Sequence, residues 1–482
     1  MKNLILFLNL FLFIECIGQK NKNIAPFLPV EANFENRTVI IPKGFEYQVL
    51  FSEGDSVVNY LGQNAPAKGS HDMVVFIPKE DKSNHGYLYV SHESHKPNQL
   101  LGDGGGGSIM EIKQEKGHWN IIGKVHAIDF STVGETFRNC GGTLTPHGTI
   151  LTAEEEYPTS NIEINNRFGI TDTSDYLGRK KYLNYGWMVE VDPISKKAIR
   201  KLYGMGRYPH EDVHCMSDGK TVYLTSDNKP AIFFKFVADK VGDYSSGQLF
   251  AYRQSDDGLG GSWISLPMNQ DSLDNITEVS VRMGASMFIS HEWIVLVNDK
   301  LYISESGSSR FDFDKEVSLG GKPALHLDSC CKKDDGKYKD PYGRILQFDL
   351  NDLKMNVYLH GGTDKDDSLL CFSSPDAMSS VLINNNYYLV ISEDSHSGMN
   401  GKETSRVKKL GETYNEIYFL DLSIINPTLK DLKRFMMAPE GCETTGNYFT
   451  PDYKTHFVAI QHPSSKNPAP FNKSCVIAIK RY

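Results

Sequence analysis

Hydrophobic and polar positions in this chain alternate in short runs, not at helical spacing. Tyr47 to Phe51, Gly86 to Val90, Ile109 to Ile112, Trp187 to Val191, Ile345 to Leu350 and Ile417 to Leu420 read as strands rich in β-branched and aromatic residues. Turn signals separate such runs, among them Asn384-Asn-Asn386, Ser217-Asp-Gly219, Asn298-Asp299 and Asp452-Tyr-Lys454. A larger pattern recurs six times. An acidic, His or Cys residue opens two hydrophobic runs, and the second run closes on a polar or acidic residue. The openers are His71-Asp72, Cys140, His210-Glu211, His291-Glu292, Pro375-Asp376 and Cys442-Glu443. The closing runs end at Glu93, Glu155, Asp227, Glu305, Glu393-Asp394 and His462, 13 to 21 positions after the last opener residue. That spacing is about a strand, a turn and a second strand.

Six copies of a β-unit predict an all-β six-bladed propeller, with loop insertions over the central channel. A single domain from 19 to 482 gives about 77 residues per blade, against roughly 40 to 50 for compact blades. The excess falls in polar stretches, Gly102 to Gly107, Ile162 to Lys181, Glu316 to Asp340 and Ser395 to Glu412, which read as loops. Acids repeated at one end of a channel repel one another unless cations neutralise them. The pattern therefore predicts metal ligands at the openers and closers.

Residues 1–18 differ in character. Lys2, the apolar run Leu4 to Ile14 and Cys16-Ile17-Gly18 read as a cleaved secretory signal, too short to span a membrane. Glu15 leaves only a loose lipoprotein pattern at Cys16. The expectation is an exported protein, periplasmic or extracellular, with outer-membrane association left open. No later segment reads as a transmembrane span, and a monomer is expected. The net charge of −9 argues against nucleic acid as a partner and favours cations. Seven cysteines follow the signal, at 140, 215, 330, 331, 371, 442 and 475, so an odd one is left over. The vicinal Cys330-Cys331 could pair elsewhere or stay exposed. Cys140 sits in a glycine-rich loop, and a metal-held thiolate is a reason to keep it.

Two short motifs are set aside. His210-Glu-Asp-Val-His214 matches the zinc-protease HExxH pattern, but Pro209 and Ser217-Asp-Gly219 leave no room for the helix that chemistry requires. Gly104 to Gly107 lacks the Lys-Ser/Thr of a P-loop and reads as a flexible loop. Cys140, Glu211 and Glu292 open consecutive blades and should converge near the axis.

At these residues the chain resembles the PhoX-type alkaline phosphatases. Asn139-Cys-Gly-Gly-Thr-Leu-Thr-Pro-His-Gly-Thr-Ile-Leu-Thr-Ala-Glu-Glu155 is similar to that family's NCxGGxTPWGTxLTCEE signature, with Thr143 for the second Gly. Tyr185-Gly-Trp187, Gly206-Arg-Tyr-Pro-His-Glu211, Phe234-Lys-Phe236, Ser374-Pro-Asp376, Glu443-Thr-Thr-Gly446, Phe449-Thr-Pro-Asp452 and Gln461-His-Pro463 extend the likeness through most of the chain. The resemblance implies a propeller with an iron (Fe3+) and calcium cluster that hydrolyses small phosphorylated substrates, with metal-bound oxide or hydroxide attacking phosphorus. It implies iron on Cys140, Glu211 and Glu292, and calcium on, or a bridge by, Glu155. Glu93, Asp376 and Glu443 complete the expected metal set, and Cys140, His291 and Glu292 form the expected catalytic set.

The chain departs from the family at several points. The family's phosphate-gripping Arg stands two residues before the iron-binding Glu, where this chain has Ser290. Its Asn-His-Glu is Ser91-His-Glu93, its signature Trp is His147, its second Cys is Ala153, and no twin-arginine signal is present. Ser91 and Ser290 are thus the expected substrate-facing positions. The alternatives are a non-catalytic or altered-substrate metal-binding propeller, including a calcium-dependent esterase or lactonase built on His71, His210 and His291.

Overall fold

Each of the six repeats forms one antiparallel sheet, and the sheets follow one another around an axis. The computed structural model describes residues 24, 26–33, 35–363, 372–395 and 414–482. The expected signal segment, Cys371 and most of the Ser395 to Glu412 insertion lie outside the described residues. Counting blades from the first opener, the innermost strands are His71–Lys79, Asn139–Leu144, His210–Cys215, His291–Val297, Pro375–Ile383 and Glu443–Phe449. Each contacts the next, and the sixth returns to the first, so the six inner strands close a ring. The fold is a six-bladed β-propeller. Blade 6 is completed by the chain's beginning: Phe45–Ser52 pairs with Cys475–Arg481 as its outer strand. Ser56–Val58 and Asn64–Pro66 widen blade 1, and Gly261–Ser265 adds a fifth strand to blade 3.

The apolar residues of the strands fill the spaces between sheets. Phe76 and Trp119 of blade 1 pack on Phe457 of blade 6, with ring centroids 5.8 and 5.4 Å from its ring. Each such fully buried side chain contributes roughly 1.5–3 kcal/mol. Glycines set the closeness of blades 2 and 3. A Cβ at Gly141 would lie 2.4 Å from the Glu211 carbonyl oxygen, and one at Gly142 would lie 2.0 Å from that of Leu151. The double glycine after Cys140 is therefore a requirement of the backbone.

The insertions are more ordered than their composition suggests. The Ile162 to Lys181 stretch carries the helix Asn161–Phe168, capped by Ser160 and anchored by Phe168 on Phe137 at 4.6 Å. The glycine run is a cage, not a flexible loop: the Lys68 ammonium donates to the carbonyls of Gly105 at 2.8 Å and Gly104 at 3.1 Å. Cys330 and Cys331 are bonded to each other, which corrects the expectation that they would pair elsewhere or stay exposed. Residues 210–215 form a strand, as the rejection of the zinc-protease motif requires.

Candidate metal-binding active site

One local device, repeated around the ring, builds the site. The first residue of each inner strand pairs with the last residue of the next strand: His71 with His92, Asn139 with Glu154, His210 with Ser226, His291 with Glu305, and Pro375 with Glu393. In these five blades a β-bulge follows at once, so Asp72, Cys140, Glu211, Glu292 and Asp376 fall where the pairing is broken. Bulges re-aim side chains.

A second device holds the closing residue. In four blades the residue before the pair has positive φ: Ser70 (51°), Arg138 (44°), Ser290 (44°) and Ser374 (47°). Its carbonyl accepts from the N–H one position past the pair, which belongs to Glu93 (2.8 Å), Glu155 (3.1 Å), Ser306 (3.0 Å) and Asp394 (2.9 Å), respectively. Non-glycine residues rarely adopt such φ, and they persist there only when the surroundings over-determine them.

The result is a chain of candidate ligand groups around one end of the channel. Within each group the ligand atoms lie no more than 4.8 Å apart: Cys140, Glu155 and Glu211; Glu211, Glu292 and Asp376; Asp376, Asp394 and Glu443; Glu443, His462 and Glu93. Glu211, Asp376 and Glu443 each belong to two groups. All seven expected metal residues, Cys140, Glu211, Glu292, Glu155, Glu93, Asp376 and Glu443, are brought together here. Asp394 and His462 join them. Both stood in the sequence pattern as closers, and only the geometry separates them from the residues beside them.

Electrostatics mark the same residues. Burial pushes the Glu155 carboxyl up to about 7, with Asp227, Glu156 and Asp394 adding to the rise against Arg138. Burial and the neighbouring carboxylates likewise raise Glu211, Asp376 and Glu443 well above the usual range. Asp72 rises to about 7, chiefly through burial, although Thr445 donates to it at 2.6 Å. The Cys140 thiol rises through burial and the charges of Glu211 and Glu155, and its Sγ lies 3.2 Å from the His210 carbonyl oxygen. Buried acids so close together either keep protons or share cations, and cations reverse every one of these shifts. The donor set fits the metals expected: a thiolate with two carboxylates suits iron, and the oxygen-rich groups suit calcium.

The other expected site residues sit elsewhere. His291 is fully buried against Phe288, with ring centroids 4.5 Å apart, and burial pushes its imidazole down to about 4. It stands at the paired position, which in these five blades lies outside the ligand groups, while Glu292 beside it takes the bulge; the expected direct catalytic role of His291 is not supported by this placement. His71 and His210 share that position, are likewise buried, and are each held at about 3 by burial. The histidine trio needed for an esterase or lactonase is thus turned away from the ligand groups. Ser91 is not substrate-facing either: its hydroxyl donates to the Cys140 carbonyl at 2.8 Å and accepts from the Met73 N–H at 2.9 Å. Ser290 is buried, its Oγ has no hydrogen-bond partner, and its carbonyl holds Ser306. Glu305, expected as the blade 4 closer, pairs with His291, and Ser306 takes the closing position with its hydroxyl on Glu292. His147 lies in the exposed turn at the far end of blade 2, against Tyr244 at 5.6 Å.

Fold and site together define a β-propeller whose acid-lined channel end carries four groups able to hold metal ions. Residues 25–464 match the family described as Alkaline phosphatase PhoX. The chain belongs to that family, and so to the metal-dependent phosphoric monoester hydrolases that act on small phosphorylated substrates. Among solved structures, Pseudomonas fluorescens PhoX in complex with vanadate, a transition state analogue, has a TM-score of 0.73 at 20% identity, covering 95% of this chain and 98% of that one. A Trypanosoma rangeli sialidase mutant is similar at a TM-score of 0.40 and 10% identity, covering 92% of this chain and 60% of that one. Comparison with curated proteins gives no match. The non-catalytic and esterase readings are not favoured. No described helix is long and apolar enough to cross a membrane.

Proposed function

We propose that the chain is an exported phosphomonoesterase whose channel end holds iron at Cys140, Glu155, Glu211 and Glu292, and calcium at the carboxylate groups of blades 5, 6 and 1. The observation that carries this reading is the sharing of ligands. Glu211, Asp376 and Glu443 each belong to two neighbouring groups and so would be shared between the cations held there. When bound, such cations would supply neutralisation of charge developing on phosphoryl oxygens and a lowered pKa for water.

This chain's residues do the rest. Glu211 ties the thiolate group to the carboxylate groups. The Ser306 hydroxyl donates to one oxygen of Glu292 and holds that side chain in place. Asp212 accepts from the Gly142 N–H at 2.8 Å and the Ile294 N–H at 3.0 Å, locking the inner strands of blades 2, 3 and 4 in register behind the site. Ser290 brings no charge to the phosphate, which leaves phosphate binding to the cations. Replacing Cys140 by Ala tests the assignment. The variant should lose bound iron, measured by elemental analysis, and its hydrolysis of a chromogenic phosphomonoester should fall by about 10³-fold, as expected from losing several kcal/mol of metal stabilisation. Full iron content with full activity would refute it.

A further inference from the structure

The four ligand groups do not close the ring. They run from Cys140 and Glu155 in blade 2, through blades 3, 4, 5 and 6, and end on Glu93 in blade 1. Among the described residues no ligand group joins Glu93 to Glu155 across the remaining gap. Arg138 spans it. Its guanidinium bonds Glu93, Glu155 at 2.7 Å and Glu156 at 3.1 Å, with 24% of the side chain exposed. The backbone contrast between blades is informative. Position 138 is equivalent to Ser70, Ser290 and Ser374, all at positive φ and all holding the closing residue of their blade. Only blade 2 places a long cation there, on a backbone that long side chains adopt reluctantly.

We propose that Arg138 is a built-in cation of the cluster: its guanidinium occupies the position between Glu93 and Glu155 that a metal ion would otherwise take, so the ring holds one exchangeable cation fewer. This rests on the metal-cluster reading above and adds to it a fixed member. A planar guanidinium donates in directed fashion to several carboxylates at once, and it cannot be removed by a chelator. Glu93 and Glu155 stay anchored to each other when the exchangeable metals leave.

The test counts metal ions per chain in the intact protein, by native mass spectrometry and elemental analysis after saturation with calcium and iron. Arg138→Met should bind one calcium more per chain than the wild type, and Arg138→Lys, which keeps the charge, should bind the wild-type number. Should Arg138→Met fail to fold, Arg138→Gln is read the same way. An unchanged or lower count in the neutral variant overturns the proposal. So does an unchanged count with about tenfold weaker inhibition by inorganic phosphate, which would make Arg138 an anion grip. A wild type that binds no metal at all sinks the cluster reading and this inference with it, whereas a metal-loaded wild type with an unchanged variant sinks this inference alone.

Discussion

Glu155, 15% exposed, and Glu305, fully buried, both stand where a second strand ends, yet they lead opposite lives. Glu305 stands at the paired position. Burial pushes its carboxyl up, but His326 at 2.9 Å and Arg344 outweigh that and hold it at about 2. Its other partner, the Ile289 N–H at 3.2 Å, ties the loop before blade 4 to the sheet. Glu155 stands one position further on. There Arg138 does not offset burial and the surrounding acids, and the carboxyl rises to about 7. One residue of register separates a structural ion pair from a candidate metal ligand. In Glu154-Glu155 the two fates sit side by side, since Glu154 pairs with Lys201 at 2.8 Å and accepts from the Trp187 N–H at 3.0 Å.

Matched truncations should separate the two positions most strongly. Glu305→Ala leaves Arg344 buried without a partner for one of its bonds and should cost about 3 kcal/mol of unfolding free energy, read by denaturant titration, with the metal count unchanged. Glu155→Ala should do the reverse, removing metal and activity while the metal-free protein loses no stability. Equal stability losses in the two variants would erase the distinction.

A smaller effect is expected at Ser290, the blade 4 counterpart of Arg138. Ser290→Arg adds a guanidinium beside Glu292, and a charge-assisted bond of roughly 1.5 kcal/mol should tighten inhibition by phosphate about tenfold. No change in inhibition would show that position 290 does not reach the phosphate.

The smallest effect concerns pH. Asp72 and Glu155 have folded pKa values of about 7, above the unfolded values of 3.8 and 4.5. The metal-free fold therefore keeps protons that the unfolded chain has released, and these groups lower its stability as pH rises through that window. Metal loading of the cluster must displace the proton of Glu155. The rise in Tm produced by loading iron and calcium together should thus grow by a few degrees between pH 6 and pH 8. A constant increment would mean that this carboxyl does not meet a metal.

The sequence carried the repeat, the blade count and the openers, because alternation and spacing are written in it directly. Its six-part pattern contained all nine residues of the candidate ligand groups. It could not choose between neighbours such as His291 and Glu292, Glu305 and Ser306, or Glu393 and Asp394. That choice depends on a bulge and on a positive φ at a serine, neither of which composition announces. Arg138 was hidden for the same reason: beside an Asn-Cys signature it looks like an ordinary loop residue. The glycine run was misjudged because glycine suggests mobility, whereas here it lets carbonyls converge on Lys68.

The most direct test of the central claim is hydrolysis of a chromogenic phosphomonoester by iron- and calcium-loaded protein, with and without chelator. The account predicts turnover that chelation abolishes and that returns when both metals are restored. Turnover indifferent to chelation, or none from protein shown to contain both metals, would contradict it.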